Sequence, residues 1–398
     1  MALATPIVLD WSRRLGLYDQ PDADRKVHDR PIPRTGGLAI AAGLLVPFIG
    51  LAFWGNDFSA ELRQDEERLV AFIGGFAAIL GLGVYDDIKG VGAWGKLSVQ
   101  MLVGMLLWTS ELRVSTLTVF DHYIDLGLWS LPLTMLWVAG FVNAMNLIDG
   151  LDGLCSGTAA IQATALLAIA LLMAAGTPIA DPFESLAGVR IVLCLALLGA
   201  VLGFLPWNFN PAVIFLGDCG SLLIGYLVVV SILMLGEQGD THLVFAGLII
   251  FALPIMDTAL AILRRKLAGV PMSTADANHI HHIVKRAVGG VKRAVFTLYA
   301  ISFSFGILGV VLGALAIEKL VRLRIVYAVS IVLFGAIAAI ALKVALRSRW
   351  QAHLEQPADA AAMPALVPSA VSSTAPSAMP AVIEPQKSDP GASTASTP

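Results

Sequence analysis

The sequence predicts an all-α fold: a polytopic membrane bundle of ten to eleven transmembrane helices with one short extramembrane β-hairpin. Two observations predict it. Of the 398 residues, 57% are hydrophobic and 14% charged, with a mean hydropathy of +0.79, whereas soluble domains hold roughly 25% charged residues. Apolar segments of about twenty residues, enough to cross a ~30 Å hydrocarbon core, recur from end to end. The formal charge of −3 says little by itself, and no nucleic-acid partner is expected. Cys155, Cys194 and Cys219 lie within or at the ends of apolar segments, so neither a disulfide framework nor a zinc site is visible. The first residues do not read as a signal peptide with a small-residue cleavage site.

Taken in order, residues 1–11 start apolar but give only a stub before Asp10, and a polar loop runs from Arg13 to Arg34. Apolar runs then predict helices near 36–55, 68–85, 95–110, 129–146, 155–176, 187–206, 219–235, 242–262, 294–315 and 323–346. Between Arg113 and Gly127, β-branched and aromatic residues roughly alternate (Val114, Thr116, Thr118, Phe120), which predicts the hairpin. From about Gln351 the chain is rich in Ala, Pro, Ser and Thr without pattern, so a membrane-embedded domain, 1–349, is expected to precede a disordered tail, 350–398. With the 12–35 loop inside, 19 of the 26 Lys and Arg residues fall on the cytoplasmic side. That bias orients the bundle and places the tail inside.

The same orientation gathers the polar motifs at one face. Asn143 to Leu154 reads Asn-Ala-Met-Asn-Leu-Ile-Asp-Gly-Leu-Asp-Gly-Leu after an apolar run. Asn143 and Asn146 are three apart, as are Asp149 and Asp152, so each pair shares a face wherever the stretch is helical. Gly150 and Gly153 leave backbone that a bulky ligand can approach. Such groups at the mouth of a membrane helix are costly unless they bind something, although a polar loop with helix caps is the plainer reading.

Asp86-Asp87 ends a helix. Adjacent acids repel, so both stay ionised only beside a cation or basic group, and magnesium, with its preference for carboxylate and phosphate oxygens, suits the pair as well as an exposed acidic turn does. Lys96 is a candidate phosphate partner or an ordinary positive-inside lysine. Asp218, between glycines at the start of a helix, is either an N-cap or an acid holding a metal where the helix end receives a phosphate. The loop 263–293 carries Arg264-Arg265-Lys266, then His279, His281 and His282, then Lys285-Arg286. A basic cover over a phosphate-rich substrate fits it better than zinc, with attraction to anionic lipid as the plain alternative. Lys26 to Gly37, with two prolines, reads alone as a positive-inside anchor.

Five segments, Pro21–Gly37, Tyr85–Lys96, Asn143–Leu154, Phe215–Ser221 and Arg264–His282, together resemble the polyprenyl-phosphate N-acetylhexosamine-1-phosphate transferases, a family that includes the phospho-MurNAc-pentapeptide translocase. They occur in family order and span nearly the whole chain except the tail. The Arg30-Pro-Ile-Pro-Arg-Thr-Gly-Gly37 loop looks like the branch that uses UDP-GlcNAc-type donors. The resemblance implies transfer of N-acetylhexosamine-1-phosphate from a UDP-N-acetylhexosamine to undecaprenyl phosphate, with release of UMP, at the inner face of the plasma membrane. Mg²⁺ is the implied cofactor, with Mn²⁺ as a substitute, and a homodimer is an open possibility. By position, Asn146 and Asp218 match the magnesium holders. Asp86 and Asp87 match an acidic pair that assists the metal or deprotonates the lipid phosphate, and Lys96 matches a phosphate-contacting lysine. Asp149 and Asp152 match nucleotide-site residues. Asn143, Arg264, Arg265, His279, His281 and His282 are expected at the substrate, the histidines over the donor's diphosphate or sugar. Direct attack by the acceptor is expected, with a covalent intermediate on Asp86 as its rival.

Two departures stand out: the family has a complete membrane helix before the Pro21–Gly37 loop, and Val270–Asp276 fits its loop loosely. A secondary transporter predicts polar groups near the midplane and paired halves, whereas here the acids cluster at one surface and no repeat appears. The CDP-alcohol phosphotransferases also place acids at the inner surface, but their longer Asp-Gly…Ala-Arg…Gly…Asp pattern is absent.

Overall fold

A computed structural model gives the fold, and it describes residues 4–19, 31–53, 66–119, 122–176, 187–236, 241–271, 279–320 and 323–354. Most of the expected tail, residues 355–398, and residues 20–30 of the polar loop lie outside the described residues. The helices are α1 (Ala4–Leu15), α2 (Gly36–Phe53), α3 (Glu66–Lys89), α4 (Ala93–Thr109), α5 (Ser130–Ile148), α6 (Leu154–Gly176) and α7 (Ala187–Asn208). They continue as α8 (Gly217–Leu235), α9 (Thr241–Ile250), α10 (Ala252–Ala268), α11 (Ile280–Val288), α12 (Val291–Ile317) and α13 (Leu323–Leu354). Two short antiparallel pairs accompany them. β1 (Tyr18–Asp19) pairs with β2 (Ile32–Pro33), and β3 (Thr116–Val119) pairs with β4 (His122–Asp125), Thr116 opposite Asp125.

Among the described residues, six helices are long and apolar enough to cross a membrane: α3, α5 with the turn before it, α6, α7, α8 and α12. The expected helix 242–262 is instead two helices, α9 and α10, bent by 73° at Phe251, and together they are apolar enough for a seventh span. Pro254 explains the break: it has no N–H to offer the carbonyl of Ile250, and its ring crowds that carbonyl. The expected stub before Asp10 is a helix that runs on to Leu15. Its outer face carries the Asp10–Arg14 ion pair one turn apart, while Thr5, Leu9 and Ser12 are buried.

α8 is the axis of the bundle. Apart from Gly217 and Asp218, every one of its residues is buried, as expected of a helix apolar on all sides. Its neighbours come in close because both sides are small. A Cβ on Gly37 of α2 would strike Gly220, one on Gly83 of α3 would strike Cys219, and one on Gly225 would strike Val142 of α5. In a lipid environment such small-residue contacts supply van der Waals packing that apolar surface alone does not. The buried Arg190 of α7 donates from Nη1 to the Met234 carbonyl at the far end of α8, 3.1 Å away, satisfying an acceptor that the helix end leaves over. With α2 and α3 against the first turn of α8 and α5 reaching Ser221 through Asn146, the ends of these helices come to one place.

Candidate active site

Gly217 starts α8 with φ at +74°, and a Cβ there would meet the Arg34 carbonyl. Glycine therefore fits where other residues are strained, and the following N–H groups turn toward α3. Asp87 takes them both: Oδ1 accepts from Asp218 N at 2.9 Å and Oδ2 from Cys219 N at 3.0 Å. A carboxylate from one helix thus caps the positive end of another. Asp218 is not the N-cap; it sits inside the first turn, with its side chain free to point at Lys96.

Lys96 Nζ lies 2.5 Å from Asp86 Oδ2 and 2.5 Å from Asp218 Oδ2. One ammonium thereby bridges carboxylates from α3 and α8, and Asp86 also accepts from Val91 N at 2.6 Å. Asn146 of α5 donates to Ser221 Oγ at 2.9 Å and lies against Asp218. Asn143 and Asn146 both lie on α5, but their side chains meet different helices. Asn143 faces α4, where it forms a reciprocal amide pair with the fully buried Gln100, Nδ2 to Oε1 at 2.5 Å, and donates to the Ala139 carbonyl at 2.7 Å. Its amide serves contact between helices.

Asp149 and Asp152 do not share a helix face, because α5 ends at Ile148 and both fall in the turn before α6. They diverge. Asp152 Oδ2 accepts from Asn210 Nδ2 at 2.9 Å and Ala212 N at 3.1 Å, pinning the segment between α7 and α8. Among the described residues no hydrogen-bond donor reaches the Asp149 carboxylate. Burial pushes its pKa up to about 8, helped by the charges of Asp218, Asp87 and Asp152 and opposed by Arg34, so at neutral pH it mostly holds its proton. Arg34 stands close because Phe215 N bonds the Pro33 carbonyl and Gly36 N and Gly37 N bond the carbonyls of Phe215 and Leu216.

The histidines cover this turn from the other side. His279 precedes α11, and its ring stacks on His281 at 5.6 Å with 3° between planes; His281 meets His282 at 4.3 Å. A Cβ on Gly150 would collide with the His281 ring, so glycine beside Asp149 is what admits the histidine. His281 is buried, its Nδ1 has no partner among the described residues, and burial with the neighbouring His282 pulls its pKa down to about 4. His282 is lowered too, by burial first and then by His279. Tyr299 of α12 clamps the same turn through a hydrogen bond to the Gly153 carbonyl. Arg264 and Arg265 stand in the last turns of α10, half-buried, where cations also suit the negative helix end.

The arrangement offers carboxylate and amide oxygens for a small oxygen-seeking cation, an ammonium for a phosphate, and an adjoining turn with unsatisfied polar groups. Residues 69–236 match the family model described as glycosyl transferase family 4. Over 318 residues the chain is 35% identical to a probable undecaprenyl-phosphate N-acetylglucosaminyl 1-phosphate transferase of Bacillus subtilis, covering 79% of this chain and 82% of the relative. The chain belongs to glycosyl transferase family 4. Another relative is the decaprenyl-phosphate N-acetylglucosaminephosphotransferase of Mycobacterium tuberculosis, 32% identical over 321 residues, 74% of this chain and 76% of the relative. The undecaprenyl-phosphate alpha-N-acetylglucosaminyl 1-phosphate transferase of Escherichia coli is 29% identical over 300 residues, 73% and 75%.

The stretch matched to family 4 contains Asp86, Asp87, Lys96, Asn146, Asp149, Asp152 and Asp218 but stops before the histidines. Two residues at or beside this family 4 site escaped the sequence reading. Gln100 of α4 and Asp257 of α10 are each a polar side chain in a mostly apolar stretch of its helix, and each is fully buried. That setting is itself a signal, since such groups are expensive at membrane depth unless they have a task.

Proposed function

We propose that this family 4 protein transfers N-acetylglucosamine-1-phosphate from UDP-GlcNAc to undecaprenyl phosphate, releasing UMP. The product would be the first lipid-linked intermediate of a cell-surface polysaccharide such as an O-antigen or teichoic acid. The observation that carries this reading is the meeting of Asp86, Lys96, Asn146 and Asp218, from four helices, beside the Asp149 turn. The activities for which the relatives are named agree with it.

In the reaction an oxygen of the lipid phosphate forms a bond to the donor's β-phosphorus as the bond to the UMP oxygen breaks. Both substrates are anionic, so their approach needs positive charge. Lys96 supplies a fixed ammonium at the mouth of the cluster. Asp87 holds the first turn of α8 and with it Asp218, against which Asn146 of α5 lies, and the side-chain oxygens of Asp218 and Asn146 are the candidate ligands. Those oxygens, with Asp86, fit Mg²⁺. Among the described residues no group of three or more His, Cys, Asp or Glu is placed to hold a metal, and magnesium characteristically takes one or two carboxylates and completes its shell with substrate phosphates and water. When bound, it would neutralise charge on the diphosphate. Asp149, protonated, can donate to the donor, and His281, neutral, lies beside it.

We also read the shorter apolar helices α2 and α13, together with α4 and the bent α9–α10 pair, as crossing the membrane, which makes ten spans. The distribution of Lys and Arg supports a cytoplasmic site and a cytoplasmic C-terminus in the plasma membrane.

Membranes containing the protein, incubated with undecaprenyl phosphate, Mg²⁺ and a panel of UDP-HexNAc donors, test this by UMP release. Magnesium-dependent UMP with UDP-GlcNAc, abolished in Asp218→Asn, is expected. UMP with a different donor would correct the sugar, and none with any donor would overturn the reading.

A further inference from the structure

Asp257 is a carboxylate with no accessible surface, on the inner side of α10 and six residues past the break at Phe251. Its two oxygens are used on two neighbouring residues of another segment. Oδ1 accepts from Ile280 N, the first residue of α11, at 2.7 Å, and Oδ2 faces His279 Nδ1 at 2.9 Å. The first bond alone would be an ordinary borrowed cap, since no side chain of α11's own caps that end. The second bond does more. An ionised carboxylate only accepts, so the network assigns the proton to Nδ1 and leaves Nε2 as the nitrogen available to a ligand. With the ring fixed at Nδ1, the parallel stack on His281 is fixed as well, and His281 in turn rests on Gly150 beside Asp149.

We propose that Asp257 is a positioning residue for the transfer reaction: it holds His279 with Nδ1 protonated and, through the stack on His281, sets both rings over the Asp149–Gly150 turn. The proposal rests on the reading that the histidines face the donor. A carboxylate behind an imidazole fixes its tautomer and orientation, and where the imidazole ligates a metal, loss of such a partner typically costs about 10–100-fold in affinity or activity.

Asp257→Asn isolates the effect. The amide oxygen can still accept from Ile280 N, but its NH₂ then faces Nδ1, which must become the acceptor, and the proton moves to Nε2. Shape and the α11 cap are kept while the tautomer is reversed. UMP release at varied UDP-GlcNAc and the melting temperature are measured for wild type, D257N, H279Q, H281Q and the double variant D257N/H279Q. The expected result is at least a tenfold fall in kcat for D257N with KM changed less than about threefold, melting within about 3 °C of wild type, and less than about a twofold further loss when D257N is added to H279Q. Additive losses, a D257N protein that does not fold or melts well below H279Q, or full activity in D257N beside an impaired H279Q would each overturn the assignment. Wild-type activity in both H279Q and H281Q would refute the donor-facing reading, and the proposal with it. Wild-type UMP release in the same preparation reports on the transferase reading separately.

Discussion

The acids at the first turn of α8 and the Asp149 carboxyl differ in how they are satisfied. Around the first turn of α8, every carboxylate has a partner: Asp86 and Asp218 share Lys96, and Asp87 takes two backbone N–H groups. Around the Asp149 turn, the central carboxyl has no donor among the described residues and sits next to a histidine whose Nδ1 is also unsatisfied. Charge placed in a poorly solvated pocket is retained only when it is compensated. The α8 half is therefore held together before any ligand arrives, as suits groups that must be aimed in advance. The Asp149 half is left with unmet hydrogen-bonding capacity, as suits a surface that the donor completes. The difference teaches that acids of one cluster need not share one role.

The largest effect expected from breaking this division is in the α8 half. Asp218→Asn leaves Lys96 with one carboxylate and removes charge from the proposed cation site, and UMP release should fall by roughly 10³-fold, the scale on which losing a preorganised electrostatic contact acts. The variant should still fold, since Asp87 caps α8 through Asp218's backbone; a collapse of melting temperature would show that the carboxylate is structural instead. In the other half, Gly150→Val puts a side chain where the His281 ring lies. A displacement of that size should lower turnover by roughly 100-fold, with the protein still extracted and monodisperse in detergent. Unchanged turnover would break the link between the histidines and the Asp149 turn.

A pH series sharpens the same contrast. The pKa of Asp149 is raised in the fold to about 8, so the folded state binds more protons than the unfolded one between the ordinary carboxylate range and pH 8. Its contribution to stability is fully present below that range and is lost as pH rises through about 8. In magnesium-free detergent the melting temperature should decline over this window, and Asp149→Asn should flatten the decline. The smallest effect is expected at Gln100. Gln100→Leu dissolves the amide pair with Asn143 and leaves part of that amide unsatisfied, costing about 1 kcal/mol. It should be read as a modest fall in melting temperature with activity nearly kept.

Much of this was legible in the sequence, and the rest has physical reasons for being hidden. Composition and apolar length announced a membrane bundle. The polar motifs lie at the ends of successive apolar segments, and the structure brings Asp86, Lys96, Asn146 and Asp218 from those ends together. What each acid does with its oxygens was not legible. Asp86 and Asp87 are adjacent in the chain, yet on the last turns of α3 they point to different neighbours, one to an ammonium and one to a helix end. Asp149 and Asp152 look equivalent at a spacing of three, but α5 stops at Ile148 and the turn sends them apart. Asp257 was passed over inside an apolar run, because its partners His279 and Ile280 come from a segment more than twenty residues away.

The most direct test of the division is to compare Lys96→Gln with His281→Gln in one titration of UDP-GlcNAc at saturating undecaprenyl phosphate and Mg²⁺. A preformed charge cluster that acts on the transferring phosphate predicts that K96Q lowers kcat and leaves KM nearly unchanged. A donor-completed surface predicts that H281Q raises KM with a smaller change in kcat. The same parameter moving in both variants, or the two effects exchanged, would contradict the account.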